Sequence, residues 1–560
     1  MRIRKLYLAA TVVAATAALA ACAGPVPPNK DNDPPPEEPE VVALKQLTAD
    51  GDTVKNSDGE TILLRGVNAG GLFVTEHWMT GFVYGSSPSN DFRSLTQTFI
   101  SRFGEENTKE LWREYRDNWW SDADFEICER MGINCIRLPF TYMTLDFAAV
   151  RDNDYADAGK AYDFTLLDDF VEKAAARGIY TILDMHGAYG SQNGQDHSGQ
   201  IIGSASDVGF YSDERMMKLT ADMWTAIAEH YADNPAVAGY DILNEPGEKA
   251  GLTSERHFEC FDMLYDAIRS KDEKHIVIIE SCWDGKDLPK PETYGWENCM
   301  YSFHHYPGDK LTVNEHGTSW NDKLDGVEEQ KFGLPLQMGE FTNYGSTEKW
   351  DYTLDLMNRR GWHWTSWTYK IWGNMPWGVV NIRGANDQKV NATNDEYADI
   401  LAKFALLRTG GEASKLYAFG SGENTRSLES IIKQYATAPL TDIPNSGEYD
   451  FTVNEMYVTA TDRLGVTTDY NARRTVKITN AAVGGATVTV GGKQMYVGAG
   501  GAVMCGTPQT QSSAKFDAVM TASGEIAFVS RSTCKYLRLA GETFVADATT
   551  ISEACKFAAE

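Results

Sequence analysis

The chain has 560 residues, a formal net charge of −28 at pH 7 and a hydrophobic content of 42%. This hydrophobic content is enough to bury large cores, so wholesale disorder is excluded. The excess of 79 acidic over 51 basic residues argues against nucleic-acid binding and against a basic membrane-surface patch, since both depend on Lys and Arg. An uncharged substrate is compatible with this balance.

The N-terminal segment has the pattern of an export signal. Basic residues at positions 2, 4 and 5 precede an almost wholly apolar or small run, residues 6–21, which is too short for a comfortable membrane span. It ends in Leu19-Ala20-Ala21-Cys22, which resembles a bacterial lipobox. The resemblance implies a lipoprotein signal peptide at 1–21 and lipidation of Cys22. The alternative is an ordinary cleaved signal with a chance cysteine.

Residues 22–44 are predicted to be a linker. Seven of the sixteen residues Pro25–Glu40 are proline, and acidic residues lie among them. Such a segment favours an extended, solvated backbone that acts as a spacer. With Cys22 lipidated, it would hold an exported, membrane-anchored protein away from a lipid surface.

The cysteine spacing bears on metal and redox chemistry. The chain has nine cysteines and no CxxC spacing, which argues against a zinc site. In an exported chain, Cys282–Cys299 and Cys534–Cys555 are candidate disulfides. Buried free thiols are an equally good interpretation.

From residue 45 to 410, short β-branched runs alternate with longer helical patterns. The predicted strands are Ile62–Val67, Asn134–Leu138, Tyr180–Met185, Gly239–Leu243, Ile276–Glu280, Met300–Phe303, Leu334–Met338 and His363–Trp367. The predicted helices include Asp122–Met131, Leu166–Arg177, Ser212–Tyr231, Ser254–Ser270 and Thr347–Arg359. Eight such units predict an α/β fold, the (β/α)8 TIM barrel.

Seven of the eight predicted strands end in polar or aromatic residues. These residues are Asn68, Arg137, His186, Asn244–Glu245–Pro246, His304–His305–Tyr306, Gly339–Glu340–Phe341 and Trp367. A single polar residue past a strand commonly caps the next helix. Seven of them converging on the C-terminal rim of a barrel indicate a site, because active sites of this fold lie there.

Glu245 and Glu340 follow the fourth and seventh strands, on opposite sides of the barrel mouth. A pair of carboxylates across a site is what glycoside hydrolysis needs. We therefore predict Glu245 as the acid/base and Glu340 as the nucleophile, with His186 and His304 bonded to sugar hydroxyls or to the carboxylates. Three further histidines are predicted to be ordinary loop residues: His197, His305 and His316.

The remaining rim residues are predicted to support this pair. Arg137 and Tyr306 would keep Glu340 ionised, since an opposite charge or a hydrogen-bond donor favours a carboxylate. Asn244 would bond a sugar 2-hydroxyl, and Trp367 would offer a flat apolar face to a pyranose ring.

Several motifs occur together in one order along the barrel. They are Arg65–Leu72, Leu183–Ala188, Gly190–Gly194, Asn244–Glu245–Pro246, His304–His305–Tyr306 and Gly339–Glu340–Phe341. Over residues 60–375 they resemble glycoside hydrolase family 5, the cellulase and β-glucanase family, and its exo-β-1,3-glucanases most. The resemblance implies a retaining mechanism without metal or cofactor. It also implies site roles for Glu76 and Asn193; for these and for Trp377, a structural role is the alternative.

Residues 411–440 are predicted to be a connector, and residues 441–560 contain a threefold repeat. Tyr457, Tyr496 and Tyr536 recur at steps of 39 and 40 residues. Three strand-rich copies of this length predict a β-trefoil, and their rhythm resembles fascin-like or ricin-like trefoils. The three tyrosines are predicted to be core residues. The functional alternative is a carbohydrate-binding module with its binding residues in the loops.

Together these features predict a monomeric, surface-anchored retaining hydrolase of a β-linked glucan, with β-1,3 linkage favoured. One alternative is a family-5 hydrolase of β-1,4- or β-1,6-glucan or of a glucosyl-lipid. Another is a non-catalytic glycan-binding lipoprotein, but such a protein would tend to lose one of Glu245 and Glu340. A protease is disfavoured because the chain has neither HExxH nor GxSxG.

Overall fold

An antiparallel hairpin of β1 (Leu47–Asp50) and β2 (Thr53–Asn56) begins the part of the chain that the computed structural model describes. The described residues are 43–83, 91–151, 155–202, 209–247, 253–281, 285–479 and 483–560. The predicted signal peptide, Cys22 and the linker up to residue 42 lie outside them, as does Cys282.

Eight parallel strands form a closed barrel. They are β3 (Arg65–Asn68), β4 (Cys135–Thr141), β5 (Tyr180–Gly187), β6 (Val237–Asp241), β7 (Ile276–Glu280), β8 (Cys299–His305), β9 (Leu336–Phe341) and β10 (His363–Ser366). Strand β10 pairs with β3 and closes the ring. The strands are buried almost throughout, which is why they lack polar alternation in the sequence. The prediction of a (β/α)8 barrel is confirmed.

Helices surround the barrel. They are α1 (Phe92–Phe103), α2 (Glu105–Trp119), α3 (Asp122–Arg130), α4 (Tyr142–Leu145), α5 (Ala148–Arg151), α6 (Thr165–Ala175), α7 (Gly209–Ser212), α8 (Glu214–Tyr231), α9 (Ser254–Arg269), α10 (Val313–Glu328), α11 (Thr347–Arg359) and α12 (Tyr397–Ala405). Helix α10 begins at a capping box: the Glu315 side chain accepts from the Thr312 backbone N–H at 2.8 Å. No helix in the described ranges is long and apolar enough to span a bilayer.

Large aromatic side chains fill the layer between barrel and helices. Trp112, Trp224, Trp320 and Trp350 are each at most 1% exposed. Each tryptophan removes about 150–250 Å² from water, so this layer is a major source of the barrel's stability.

The chain leaving the barrel folds back against it. It forms β11 (Lys370–Trp372), β12 (Val380–Ile382), β13 (Ser414–Leu416), β14 (Ala418–Phe419), β15 (Arg426–Ser427) and α13 (Leu428–Ala436). Arg426 donates to both carboxylate oxygens of Asp351 in α11, and Tyr435 of α13 donates to the same carboxylate at 3.1 Å. Most of the predicted connector is therefore packed structure.

In its described residues, the C-terminal region consists of strands joined by turns and by short 3₁₀ helices. Its strands are β16 (Gly447–Tyr449), β17 (Phe451–Val453), β18 (Met456–Ala460), β19 (Leu464–Thr467), β20 (Val476–Thr479), β21 (Thr487–Val490), β22 (Lys493–Val497), β23 (Val503–Gly506), β24 (Phe516–Met520), β25 (Ile526–Ser530), β26 (Lys535–Ala540), β27 (Thr543–Ala548) and β28 (Ala558–Ala559). They form two sheets around a separate apolar core. We call this region the β-rich module.

The prediction that all three repeated tyrosines are core residues is wrong for two of them. Tyr457 and Tyr496 are half-buried, whereas their strand neighbours Val458 and Met495 are at most 1% exposed. Alternation along a strand sends successive side chains to opposite faces, so the neighbours fill the core instead. Tyr536 is buried, as predicted, and its hydroxyl donates to Asp355 of α11 at 2.8 Å.

Charged side chains join the β-rich module to the barrel helices. Asp517 of β24 accepts from Arg359 of α11 at 2.7 Å and from Arg531 at 2.7 Å. Arg531 also donates to Asp325 of α10 at 2.6 Å. The module and the barrel lie within one unit, residues 43–560.

All cysteines of the described part of the chain are free and buried. Cys534 and Cys555 are therefore not paired, and the buried-thiol interpretation holds for them.

Candidate active site

Glu340 lies in β9 at the C-terminal mouth of the barrel and is 4% exposed. Arg137 donates to its Oε1 at 2.8 Å, and the Tyr306 hydroxyl donates to its Oε2 at 2.7 Å. Burial, together with the nearby carboxylates, raises the pKa of Tyr306 well above its usual value, so this hydroxyl stays a donor. Both oxygens of the predicted nucleophile are thus held in fixed directions.

Glu245 lies just beyond β6, in the left-handed backbone region with φ of 40°. His304 bonds its Oε1 through Nδ1 at 2.7 Å, and His197 Nε2 lies 3.3 Å from its Oε2. Burial alone would raise the pKa of Glu245, but the hydrogen bond and charge of His304 outweigh burial and lower this pKa to about 2.

The charges around this pair favour a protonated His304. Burial lowers the pKa of His304, but Glu280, Glu340 and Glu245 outweigh burial and hold this pKa well above its usual value. Glu245 Oε1 and His304 Nδ1 lie 2.7 Å apart, so a proton can pass between them. Such an exchange suits a group that must both donate and accept a proton.

The two predicted catalytic carboxylates lie close together. One oxygen each of Glu245 and Glu340, together with His304 Nδ1, lie within 4.8 Å of one another. Such a trio resembles a metal-ligand set, but the guanidinium of Arg137 already lies 2.8 Å from Glu340 and would repel a cation. This arrangement is compatible with the predicted acid/base role of Glu245 and the predicted nucleophilic role of Glu340.

Arg137 is the centre of the site and is completely buried. It contacts four carboxylates and two amide oxygens: Asp184, Asp241, Glu280, Glu340, Asn68 and Asn244. A buried guanidinium is stable only when paired in this way, and its rigid fork fixes the direction of each partner. Arg137 thus orients residues from five barrel strands or their ends.

His186 is neutral. Burial lowers its pKa to about 3, and its Nδ1 bonds Asp184 at 2.7 Å. With Nδ1 protonated, Nε2 is left as an acceptor, 3.4 Å from the side-chain nitrogen of Asn244. The His186 ring also stacks on Trp367 at 5.3 Å and 3°.

A cavity of about 210 Å³ lies over these groups. Aromatic side chains form much of its wall: Trp78, Tyr306, Trp367 and Trp377. The rings of Trp78 and Trp377 meet edge to face at 5.1 Å. The cavity therefore combines flat apolar walls with the carboxylates at its base.

The structure places Glu76 in this cavity and Asn193 beside it. Burial raises the pKa of Glu76 well above its usual value, and Trp78 donates to it at 2.6 Å. Protonated Glu76 can donate a hydrogen bond into the cavity. Asn193 instead donates to the backbone oxygen of Glu245 at 3.0 Å, so it supports the loop that carries Glu245.

Two residues of the site were missed by sequence reasoning. His197 was predicted to be an ordinary loop residue, yet it contacts Glu245. Glu280 is the last residue of the fifth predicted strand, whose end was left out of the set of polar strand ends. Its position at a strand end could have identified it as a site residue. His305 and His316 belong to β8 and α10 rather than to loops, and bond Ser319 and Thr353 respectively.

Comparisons with known proteins bear on the barrel that carries these residues. Residues 99–373 match the family model Cellulase (glycosyl hydrolase family 5). The β-xylosidase of Phanerodontia chrysosporium is 29% identical over 265 residues, 47% of this chain and 52% of that protein. The probable glucan 1,3-β-glucosidase A of Neosartorya fischeri is 28% identical over 251 residues, 44% of this chain and 56% of that protein. The chain thus spans about half the length of these curated relatives.

A solved structure of an endogalactoceramidase covers 92% of this chain and 99% of its own, at 18% identity and a TM-score of 0.45. The family match supports glycoside hydrolase family 5 for the barrel. Together with the glucan β-glucosidase relatives, it confirms the predicted enzyme class, an O-glycosyl hydrolase domain.

Proposed function

We propose that this chain is a retaining glycoside hydrolase that cleaves β-glucosidic bonds of a β-glucan. The observation that carries the mechanism is the separation of Glu245 and Glu340, whose oxygens lie within 4.8 Å of each other. Retaining enzymes hold their two carboxyl groups about 5–5.5 Å apart, whereas inverting enzymes need about 6.5–9.5 Å to admit a water. The short separation supports double displacement.

In the first step, Glu340 attacks the anomeric carbon while Glu245 protonates the leaving oxygen. The glycosidic bond breaks, and a glycosyl ester forms on Glu340. Attack consumes the negative charge of Glu340, which is one of the charges that hold the proton on His304. His304 then holds its proton less tightly, which favours transfer through Glu245 to the leaving group.

In the second step, a water replaces the leaving group. Glu245 accepts a proton from this water, the oxygen attacks the anomeric carbon, and the ester bond to Glu340 breaks. Glu340 becomes a carboxylate again, and Arg137 and Tyr306 hold it in place for the next cycle. Two displacements at one carbon leave its configuration unchanged.

The cavity supplies contacts for a neutral sugar. The faces of Trp367 and Trp377 suit the apolar face of a pyranose. His186 Nε2 can accept from a sugar hydroxyl, and protonated Glu76 can donate to one. Donors and acceptors set among aromatic walls suit a hydroxyl-rich, uncharged ligand.

β-1,3-Glucan is the substrate we favour, on the motif resemblance and on the relatives named as glucan 1,3-β-glucosidases. The test is reducing-sugar release from β-1,3-, β-1,6-, β-1,4- and mixed-linkage glucans, with Glu340→Gln as the blank. We expect release from the β-1,3-glucan that is absent in the variant. Release from another linkage alone would overturn the substrate, and silence across the panel would point to a glucosyl-lipid or to a non-catalytic glycan binder.

We further propose that the β-rich module is a β-trefoil that binds carbohydrate. Three antiparallel hairpins recur at similar intervals along the module, and this repetition supports a threefold fold. They are β18–β19, β22–β23 and β26–β27. The test is affinity electrophoresis of full-length Glu340→Gln in β-glucan gels, with excess short oligosaccharide present to fill the catalytic cavity. Retardation that persists is expected; its complete loss would contradict binding by the module.

The N-terminal segment leads us to propose an exported lipoprotein that is membrane-bound only through lipid on Cys22. We expect Cys22→Ser to release the protein from the membrane fraction, and continued retention there would contradict lipidation. We also propose a monomer, for which the measurement is mass by light scattering.

A further inference from the structure

Glu280 is the last residue of β7 and is 2% exposed. Its Oε2 accepts from the backbone N–H of Glu245 at 2.6 Å, and its Oε1 lies 3.2 Å from His304 Nε2. The same Oε1 accepts from Arg137 at 2.8 Å. We propose that Glu280 is a positioning residue that fixes the acid/base Glu245 and keeps the proton on its partner His304, an inference that rests on the proposed function.

The backbone contact fixes where the Glu245 side chain points. Glu245 has φ of 40°, a conformation that costs free energy for any residue with a Cβ. Two hydrogen bonds hold it there: Glu280 accepts from its N–H, and Asn193 donates to its carbonyl oxygen at 3.0 Å. Loss of the stronger, charge-assisted bond would let the acid/base move away from the leaving oxygen.

The charge contact concerns the proton on His304. Carboxylates face this ring from three elements: Glu245 after β6, Glu280 of β7 and Glu340 of β9. Arg137 of β4 lies among these carboxylates with the opposite sign. Of these three carboxylates, Glu280 is the one that has no chemical role in the two displacements, so it keeps the same contacts with His304 and Arg137 through the cycle.

A purely structural role for Glu280 would be to neutralise Arg137. Asp241 makes a comparable contact with this guanidinium: it is completely buried and accepts from Arg137 Nε at 2.8 Å. Glu280 accepts from the Glu245 N–H and lies 3.2 Å from His304 Nε2, whereas the ion pair of Asp241 within the described part of the chain is with Arg137. Asp241→Asn is therefore the matched control for Glu280→Gln.

The experiment follows the His304 ring by NMR in full-length protein labelled with 13C at histidine Cε1. The His304 signal is assigned by its loss in His304→Asn. In Glu280→Gln we expect its titration midpoint to fall by about one to three pH units, the range for loss of an adjacent opposite charge. In Asp241→Asn we expect the midpoint to stay within a few tenths of a unit.

Kinetics on an aryl β-glucoside supply the second readout. In Glu280→Gln we expect kcat to fall at least about tenfold and the alkaline limb of the pH profile to move to lower pH, because the proton for the leaving group is lost earlier. Glu280→Asp keeps the negative charge, but its side chain is too short to reach the Glu245 N–H. We therefore expect the alkaline limb of the pH profile to stay at its wild-type pH while kcat falls.

An unchanged His304 midpoint in Glu280→Gln, or an equal fall in Asp241→Asn, would overturn the proposal. Wild-type kcat in Glu280→Asp would overturn the backbone role. If the wild-type protein turns over no glycoside, the proposed function fails, whereas the NMR midpoints still decide whether Glu280 holds the proton on His304.

Discussion

Asp517→Asn tests the charge network that joins the β-rich module to the barrel. Asp517 accepts from Arg359 through Nη2 at 2.7 Å and from Arg531 through Nε at 2.7 Å, and its side chain is 9% exposed. Asparagine keeps the size of this side chain and removes its charge. Both arginines then lose their shared anion inside a poorly solvated interface.

The expected cost follows from the burial of the network. Removing one partner of a buried ion pair costs about 3–5 kcal/mol, because the other charge is left uncompensated. Arg359 still has Asp355 and Arg531 still has Asp325, so the lower end of that range applies. We expect the free energy of unfolding to fall by about 3 kcal/mol at pH 7.

The effect also has a definite pH dependence. Burial would raise the pKa of Asp517, but Arg359, Arg531 and Arg360 outweigh it and hold this pKa below its usual value. A carboxylate whose pKa is lower in the folded state stabilises the fold above its unfolded value of about 3.9, and this stability is lost as the pH falls below that value. The Asn variant should therefore lose less stability than wild type on acidification through pH 4.

The assay is urea unfolding followed by tryptophan fluorescence at pH 7 and at lower pH. Asp462→Asn is the control, because Asp462 lies in the same module but its side chain is 94% exposed, 3.5 Å from Lys493. We expect the control to unfold like wild type. A loss below about 1 kcal/mol in Asp517→Asn, or a loss equal to that of the control, would refute the reasoning.

Three further predictions concern the active site. Glu340→Gln should abolish turnover while the protein stays folded; residual turnover on any substrate would contradict its role as nucleophile. Glu245→Ala should slow substrates with poor leaving groups by about 10²–10⁴-fold and activated aryl glycosides much less, and equal losses would contradict the acid/base role. Tyr306→Phe removes a charge-assisted hydrogen bond of about 1.5–3 kcal/mol and should lower kcat/KM roughly 10- to 150-fold; wild-type kinetics would contradict the contact.

The barrel was predictable because its eight buried strands form distinct apolar runs, each followed by polar residues on one rim. Helix α10 was not predicted, since glycines at 317 and 326 interrupt its pattern, although Thr312 and Glu315 form a capping box. Residues 411–440 were predicted only as a connector. Their packing was not visible in the sequence, because it depends on contacts between distant parts of the chain, such as Arg426 with Asp351.

The catalytic carboxylates were predictable from their position at strand ends, and their roles stay predictions until they are measured. His197 was not predicted, because a loop histidine has no periodic pattern and its contact with Glu245 depends on how the loop folds. The tyrosines of the β-rich module show a related limit. A sequence repeat reveals which positions are equivalent, but not which face of each strand packs against the core. In β18 the core residue is Val458 rather than the repeated Tyr457.

The most direct test of the central claim is to trap the covalent intermediate. A 2-deoxy-2-fluoro-β-glucoside with an activated leaving group is incubated with the protein, which is then digested and analysed by mass spectrometry. The fluorine slows both displacements, and the good leaving group lets the first proceed, so the ester accumulates. We expect one fluoroglucosyl group on the peptide that contains Glu340, and no label in Glu340→Gln. Label on a different residue, or continued turnover of the activated glucoside without any label, would contradict double displacement through Glu340.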